Sequence, residues 1–222
     1  MKVISQDGGL ASLIFIADEV KPLKGYHLPK LLEAVAQRYN ATKAPTLVEA
    51  RGAGGAAFEN CLFNASDKQI AIGRIDFHND AIVVMTTDTD DSEIVLDDIF
   101  QWLKQEFQFR DPISTSIKRF QSDLVVSFDH DPSDSFSGIG SFIKHIQDEM
   151  MPRNAHTKKD LQFAHITFAT DPLISGPSPE FSVTHRFGVP WRYGLYFSKA
   201  HMRTQSHIRS LEMLDGMLAK KS

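Results

Sequence analysis

The chain has a single cysteine, Cys61, among 222 residues, so no internal disulfide can staple it. One thiol and seven methionines suit a reducing cytosol. Basic charge is not in excess either. Lys and Arg number 24 against 28 Asp and Glu, a net charge of -4 with a pI of about 6.1. Proteins that grip phosphate backbones usually carry a basic footprint, so general nucleic-acid binding is not expected. No apolar run approaches the ~20 residues that cross a bilayer, and no membrane association is expected. Leu10 to Ala17 is apolar, but Asp7 precedes it, Asp18 and Glu19 follow, and no Ala-x-Ala-like cleavage site appears. It reads as a buried strand rather than a secretion signal, which leaves the chain cytoplasmic and the sequons at Asn40 and Asn64 without a role. Glycine and proline are modest at 13 and 10, while phenylalanine reaches 16, which excludes a disordered or collagen-like chain.

The hydrophobic pattern supplies the elements. Leu13 to Ile16 is a short apolar run of the central-strand kind. Leu28, Leu31, Leu32, Val35 and Tyr39 then follow helical spacing, with Pro29 near the first turn, which predicts a helix from His27 to Tyr39. Thr46 to Ala50 is a weak strand candidate; Phe58 to Asn64, Gln69 to Phe77 and Ala81 to Thr87 are better ones, joined by short turns. Asp90 and Glu93 have capping-box spacing ahead of a stripe of Leu96, Ile99, Phe100, Leu103 and Phe107, a second helix. Beyond a turn-rich joint starting at Arg110 the order recurs. Asp123 to Phe128 is a strand, and Asp131 and Pro132 open a helix carrying Phe136, Ile139, Ile143, Ile146 and Met150. Leu161 to Thr170, Phe181 to Phe187 and Trp191 to Ser198 are strands, and Thr204 to Ala219 is the last helix.

The expected fold class is therefore α+β. It has two similar halves, 1–111 and 112–222, each of order β-α-β(3–4)-α, with mainly antiparallel sheet and helices packed on one face. Strict alternation of strand and helix, the mark of doubly wound nucleotide folds, is absent. In element order alone the pattern resembles the duplicated saddle of the TATA-binding-protein-like fold class. That resemblance implies nothing about DNA, because folds do not carry function.

Several clusters invite a chemical reading, and each has a plainer one. The glycines between Arg51 and Ala56 lack the Gly-Lys-Ser/Thr of a P-loop and lead toward a strand rather than a helix, so they read as a loop. Asp88, Asp90 and Asp91, and likewise Asp129, His130, Asp131 and Asp134, could ligate a hard divalent ion. Both groups also sit where a strand hands over to a helix, and carboxylates there cap free amides. No metal or other cofactor is expected. His165 shares a strand face with Leu161 and Phe163, and His185 with Phe181, Val183 and Phe187, which would turn both imidazoles inward. His201 and His207 flank Arg203 and read as solvated surface. Cys61 reads as a small buried hydrophobe rather than a nucleophile.

Charge asymmetry is the most unusual feature. From Phe181 onward seven basic residues meet two acids, a balance of +5, whereas the first 111 residues carry 11 basic and 17 acidic residues, a balance of -6. Trp191, Arg192 and Tyr193 add the aromatic and guanidinium combination common at interface hot spots. Strand alternation would instead place Trp191, Tyr193, Leu195 and Phe197 on a core face with Arg192 and Tyr196 outward. The expectation is a non-enzymatic protein-binding module of the immunity, antitoxin or adaptor kind. It would grip a protein with an acidic surface, or a second copy of itself, through Arg186, Arg192, Tyr193, His201 and Arg203. The alternative is a hydrolase or small-anion-binding enzyme. It would use His165 with His185, or Asp129, His130 and Asp131 with a divalent ion.

Overall fold

The computed structural model describes residues 1–52, 54–112, 116–129, 146, 164–170 and 180–219. Apart from Ile146, the helix expected between Asp131 and Met150 falls outside the described residues, as does the start of the strand expected from Leu161. The chain forms two compact units. The first comprises Gln6–Asp123 with His201–Thr204, and the second Met1–Ser5, Leu124–Ala200 and Gln205–Ser222.

In the first unit the strands lie in the order β2-β3-β4-β1, where β1 is Lys2–Ile14, β2 Ala56–Asn64, β3 Gln69–Phe77 and β4 Ala81–Thr86. Antiparallel pairing joins them: Phe58 opposes Ile75, Ile75 opposes Val84, and Ala11 opposes Val84 on the other side. β1 begins well before the apolar run that predicts it and stops at Ile14. Backbone groups alone make the ladder, so the polar stretch around Gln6 and Asp7 extends the strand without showing a hydrophobic period.

Helix α2, Leu28–Arg38, forms where its stripe predicts, with His27 as N-cap and Pro29 in the first turn. It buries Leu31, Leu32 and Val35, while the phenol of Tyr39 donates to Asp98 at 2.6 Å. The strand expected from Thr46 to Ala50 is instead a short helix, α3, Leu47–Arg51, which follows the four-residue helix α1, Ala17–Val20. Its cause is a capping box. The Thr46 hydroxyl accepts from the Glu49 amide and the Glu49 carboxylate accepts from the Thr46 amide at 2.8 Å, so the threonine that suggests strand acts as a helix start.

Helix α4, Thr89–Phe107, starts one residue before the expected Asp90, because Asp88 is the N-cap and accepts from the Asp90 amide at 2.7 Å. Its first turn presses on β1 at Gly9, where a Cβ would lie 2.2 Å from the Asp88 carbonyl carbon. Only glycine permits that approach. Ser92, fully buried, donates to the Gly9 carbonyl at 2.8 Å and accepts from the Thr86 amide at 3.1 Å. Behind this seam Val95, Leu96, Ile99 and Leu103 join Leu13, Phe58, Ile75 and Ile82 in one buried cluster.

In the second unit the order is β6-β7-β8-β5, with β5 Ile117–Ser127, β6 His165–Ala169, β7 Glu180–His185 and β8 Leu195–Ala200. β6 to β7 and β7 to β8 are antiparallel. β5 starts six residues before the expected Asp123, and its earlier residues belong to the first unit. Helix α5 spans Thr204–Ala219, as its period predicts. Leu211 and Leu218 of α5 pack with Leu124, Val126, Val183 and Tyr196. In each unit the first strand pairs with the last of the three that follow it, β1 with β4 and β5 with β8. The fold is thus α+β with a large antiparallel sheet. No helix among the described residues is long and apolar enough to cross a membrane.

Candidate functional site

The connection from β7 to β8 differs from the strand expected there. Between His185 and Leu195 the chain leaves the ladder, and Trp191–Tyr193 form one turn of 3₁₀ helix. Pro190 has the fixed φ that suits entry to such a turn. Gly194 ends it at φ +55, in the left-handed region a side chain resists, and its amide bonds to the Trp191 carbonyl at 2.9 Å. The Arg186 amide closes the base through the Leu195 carbonyl at 2.9 Å.

The 3₁₀ turn breaks the period-two rule that put Trp191 and Tyr193 in a core face. Trp191 is 42% and Tyr193 55% exposed, whereas Tyr196, expected outside, is buried against Phe128 at 5.4 Å between ring centres. Phe187, expected to point inward with His185, is 102% exposed. Sequence reasoning missed it. The glycine and proline that follow it were the available signal that the strand had already ended.

Arg186 and Arg192 are exposed on this connection. The Arg192 guanidinium lies 5.2 Å from the Tyr193 ring centre and its Nη2 donates to the Tyr193 hydroxyl at 3.4 Å. Neither arginine forms an ion pair among the described residues, and 186–194 contains no acidic residue. His185 supports the turn from below. Its ring stacks on Trp191 at 3.6 Å and meets Tyr196 edge-on at 5.6 Å. Its Nε2 is buried with no hydrogen-bond partner among the described residues, and desolvation holds its pKa below the ordinary histidine value.

The remaining members of the expected contact set lie in the first unit, and Arg203 is already occupied there. Its guanidinium pairs with Glu93 at 2.7 Å and Asp90 at 3.1 Å and covers the Phe120 ring at 4.1 Å. The hydrogen bond from Arg203 is the main reason that Glu93 titrates below the usual carboxylate range. Thr204 beside it exchanges bonds with Thr89, each backbone amide donating to the other's hydroxyl. His201 is exposed. His207, expected on the surface, is fully buried. Its Nε2 sits 2.8 Å from Ser198 Oγ, which itself donates to the Ser182 carbonyl. The Ser198 hydroxyl thus lies between the Ser182 carbonyl and the His207 ring, and all three residues are buried.

The enzyme reading loses its histidine pair. His165 opposes Thr184 in the β6–β7 ladder and its Nδ1 lies 2.6 Å from the Thr184 hydroxyl. Directly opposed residues share a face and consecutive ones alternate, so His185 is on the other face. His165 is also exposed rather than inward. The acidic groups are taken up locally. Asp88 caps α4, Asp90 pairs with Arg203, and Asp91 with Lys68. Asp129 accepts from the Met1 amino group. His130, Asp131 and Asp134 lie outside the described residues, and no group of three metal-ligating side chains occurs among the described ones. Cys61 is buried in β2, where desolvation pushes its thiol up to about 11. In the glycine cluster, Gly52 ends α3 and Gly55 leads into β2, a loop before a strand.

No family model matches the chain, and no curated protein does. Among solved structures it is similar to the TBP of Methanococcus jannaschii, with 13% identity over 99% of this chain and 98% of that one and a TM-score of 0.40. A likeness at that level transfers neither ligand nor activity, and the fold class above rests on the strand pairing itself.

Proposed function

We propose that this protein is a non-enzymatic, cytoplasmic protein-binding module of the immunity, antitoxin or adaptor kind, and that the β7–β8 connection is its contact surface. The observation that carries this reading is the exposure of Phe187, Trp191 and Tyr193 beside two arginines that form no ion pair among the described residues. Large aromatic rings left substantially exposed by a short, internally bonded connection are available for contact, and aromatic and arginine side chains dominate interface energetics. The partner surface is acidic. Arg186 and Arg192 would steer its approach and set its orientation, while Phe187 and Trp191 would supply buried area. The repeated strand order in the two units is consistent with an internal duplication in which only the second copy carries this connection. Of the expected contact residues, Arg203 is the one whose charge is already matched within its own unit.

Affinity capture from the source cells tests the reading, comparing wild type with an Arg186→Glu/Arg192→Glu double variant and with Phe187→Ala. We expect an acidic protein retained by wild type at low salt and lost from the charge-reversed variant, with Phe187→Ala weakening the complex about thirtyfold, as for removal of a hot-spot ring. Retention of the same proteins by all three, with unchanged circular dichroism, would reject the connection as the contact surface.

A further inference from the structure

The first unit contains a cavity that nothing above uses. It measures about 470 Å³, within the ~300–1,000 Å³ typical of small-molecule sites. Its walls are apolar side chains of several elements: Phe15 after β1, Leu31, Leu32 and Val35 of α2, Phe58 of β2 and Ile82 of β4. All six are buried. Besides Tyr26, the polar side chains of the lining lie around the ends of α1 and α3 and in the β3–β4 turn, where Lys21, Arg51, His78, Asn79 and Asp80 are found. Two basic side chains, Lys21 and Arg51, and one acidic one, Asp80, stand at that end. Among the described residues neither Arg51 nor Lys21 forms an ion pair, and Lys21 Nζ donates to the neutral side-chain oxygen of Asn79. An apolar chamber with surplus positive charge at one end has the polarity of a compact amphipathic anion.

We propose that this cavity binds a small monocarboxylate with an apolar body, its carboxylate at Arg51 and Lys21 and its hydrocarbon against Leu31, Leu32, Val35 and Phe58. Arg51 offers the forked donors that match a carboxylate, and Lys21 adds a point charge. Burial of the hydrocarbon provides the affinity, and the two cations provide discrimination against neutral compounds of the same shape. The site lies wholly within the first unit and is independent of the β7–β8 connection.

Octanoate, phenylbutyrate and octanol serve as probes of the full-length protein in thermal melts and isothermal titration. Octanoate is expected to bind saturably with one site and to raise the melting temperature with concentration, and octanol to bind more weakly. Arg51→Gln/Lys21→Gln should reduce octanoate affinity about tenfold and leave octanol binding unchanged. Leu32→Phe, which fills the chamber, should abolish both. Because the two polar-end residues are not in the buried cluster, the double variant remains informative even if the filled variant fails to fold. Absence of saturable octanoate and phenylbutyrate binding to folded wild type, or equal octanoate affinity in wild type and the double variant, would overturn the assignment.

Discussion

At the scale of single residues, two histidines with the same intrinsic chemistry end in different states because of what surrounds them. His165 keeps both ring nitrogens near threonine hydroxyls on an exposed face, whereas His185 has an aromatic ring on either side and a buried nitrogen with no partner. Burial lowers the His185 pKa in the folded chain below its ordinary value of 6.5. The unfolded chain then binds the proton more tightly, so the folded state keeps this contribution above about pH 6.5 and loses it as the pH falls through the lower, folded value. Wild type is therefore expected to lose urea stability relative to His185→Phe between about pH 7 and about pH 5. Parallel pH profiles for the two proteins would show that His185 titrates as it does in the unfolded chain. Such opposite outcomes were not legible in the sequence. Strand alternation assigned both rings to a core face, but the pairing of His165 with Thr184 places them on opposite faces.

At the scale of elements, helices were more legible than strands, and the reason is local. α2 and α5 announce themselves through a 3.6-residue stripe that tertiary contacts reinforce. α3 has too few residues for a stripe and is specified by its capping box, a signal that five residues of strand-like composition obscured. The same chemistry explains the acidic start of α4, where Asp88 satisfies an amide that would otherwise be orphaned. Asp88→Ala is expected to cost about 1 kcal/mol, read as a lower urea midpoint at unchanged slope. No change in the midpoint would mean that the aspartates before α4 have another purpose. Strand β1 was legible only in its apolar half, since Lys2–Gly8 pairs through backbone groups that leave no trace in side-chain period.

At the scale of the whole molecule, each unit carries one tryptophan, which makes exposure directly measurable. Trp102 is buried on α4 and Trp191 stands half-exposed on the β7–β8 connection. Acrylamide should quench Trp102→Phe, which retains Trp191, severalfold more strongly than Trp191→Phe. Equal quenching would place Trp191 in a core and remove the basis of the proposed contact surface. The charge asymmetry along the chain needs the same spatial test, because linear balance does not say which charges are free. Arg203 counts toward the basic segment yet is paired with Glu93 and Asp90 across a long sequence separation, while Arg186 and Arg192 form no ion pair among the described residues. The chain by itself determined the α+β class, the extents of its main helices and the inert burial of Cys61, since these follow from local period, capping and hydrophobicity. Only the tertiary structure decided which polar groups are consumed in folding, where Phe187 and Trp191 point, and that a chamber lies beneath α2. Those depend on partners distant in sequence and on one turn of 3₁₀ helix that shifts the side chains of β8 to the opposite face.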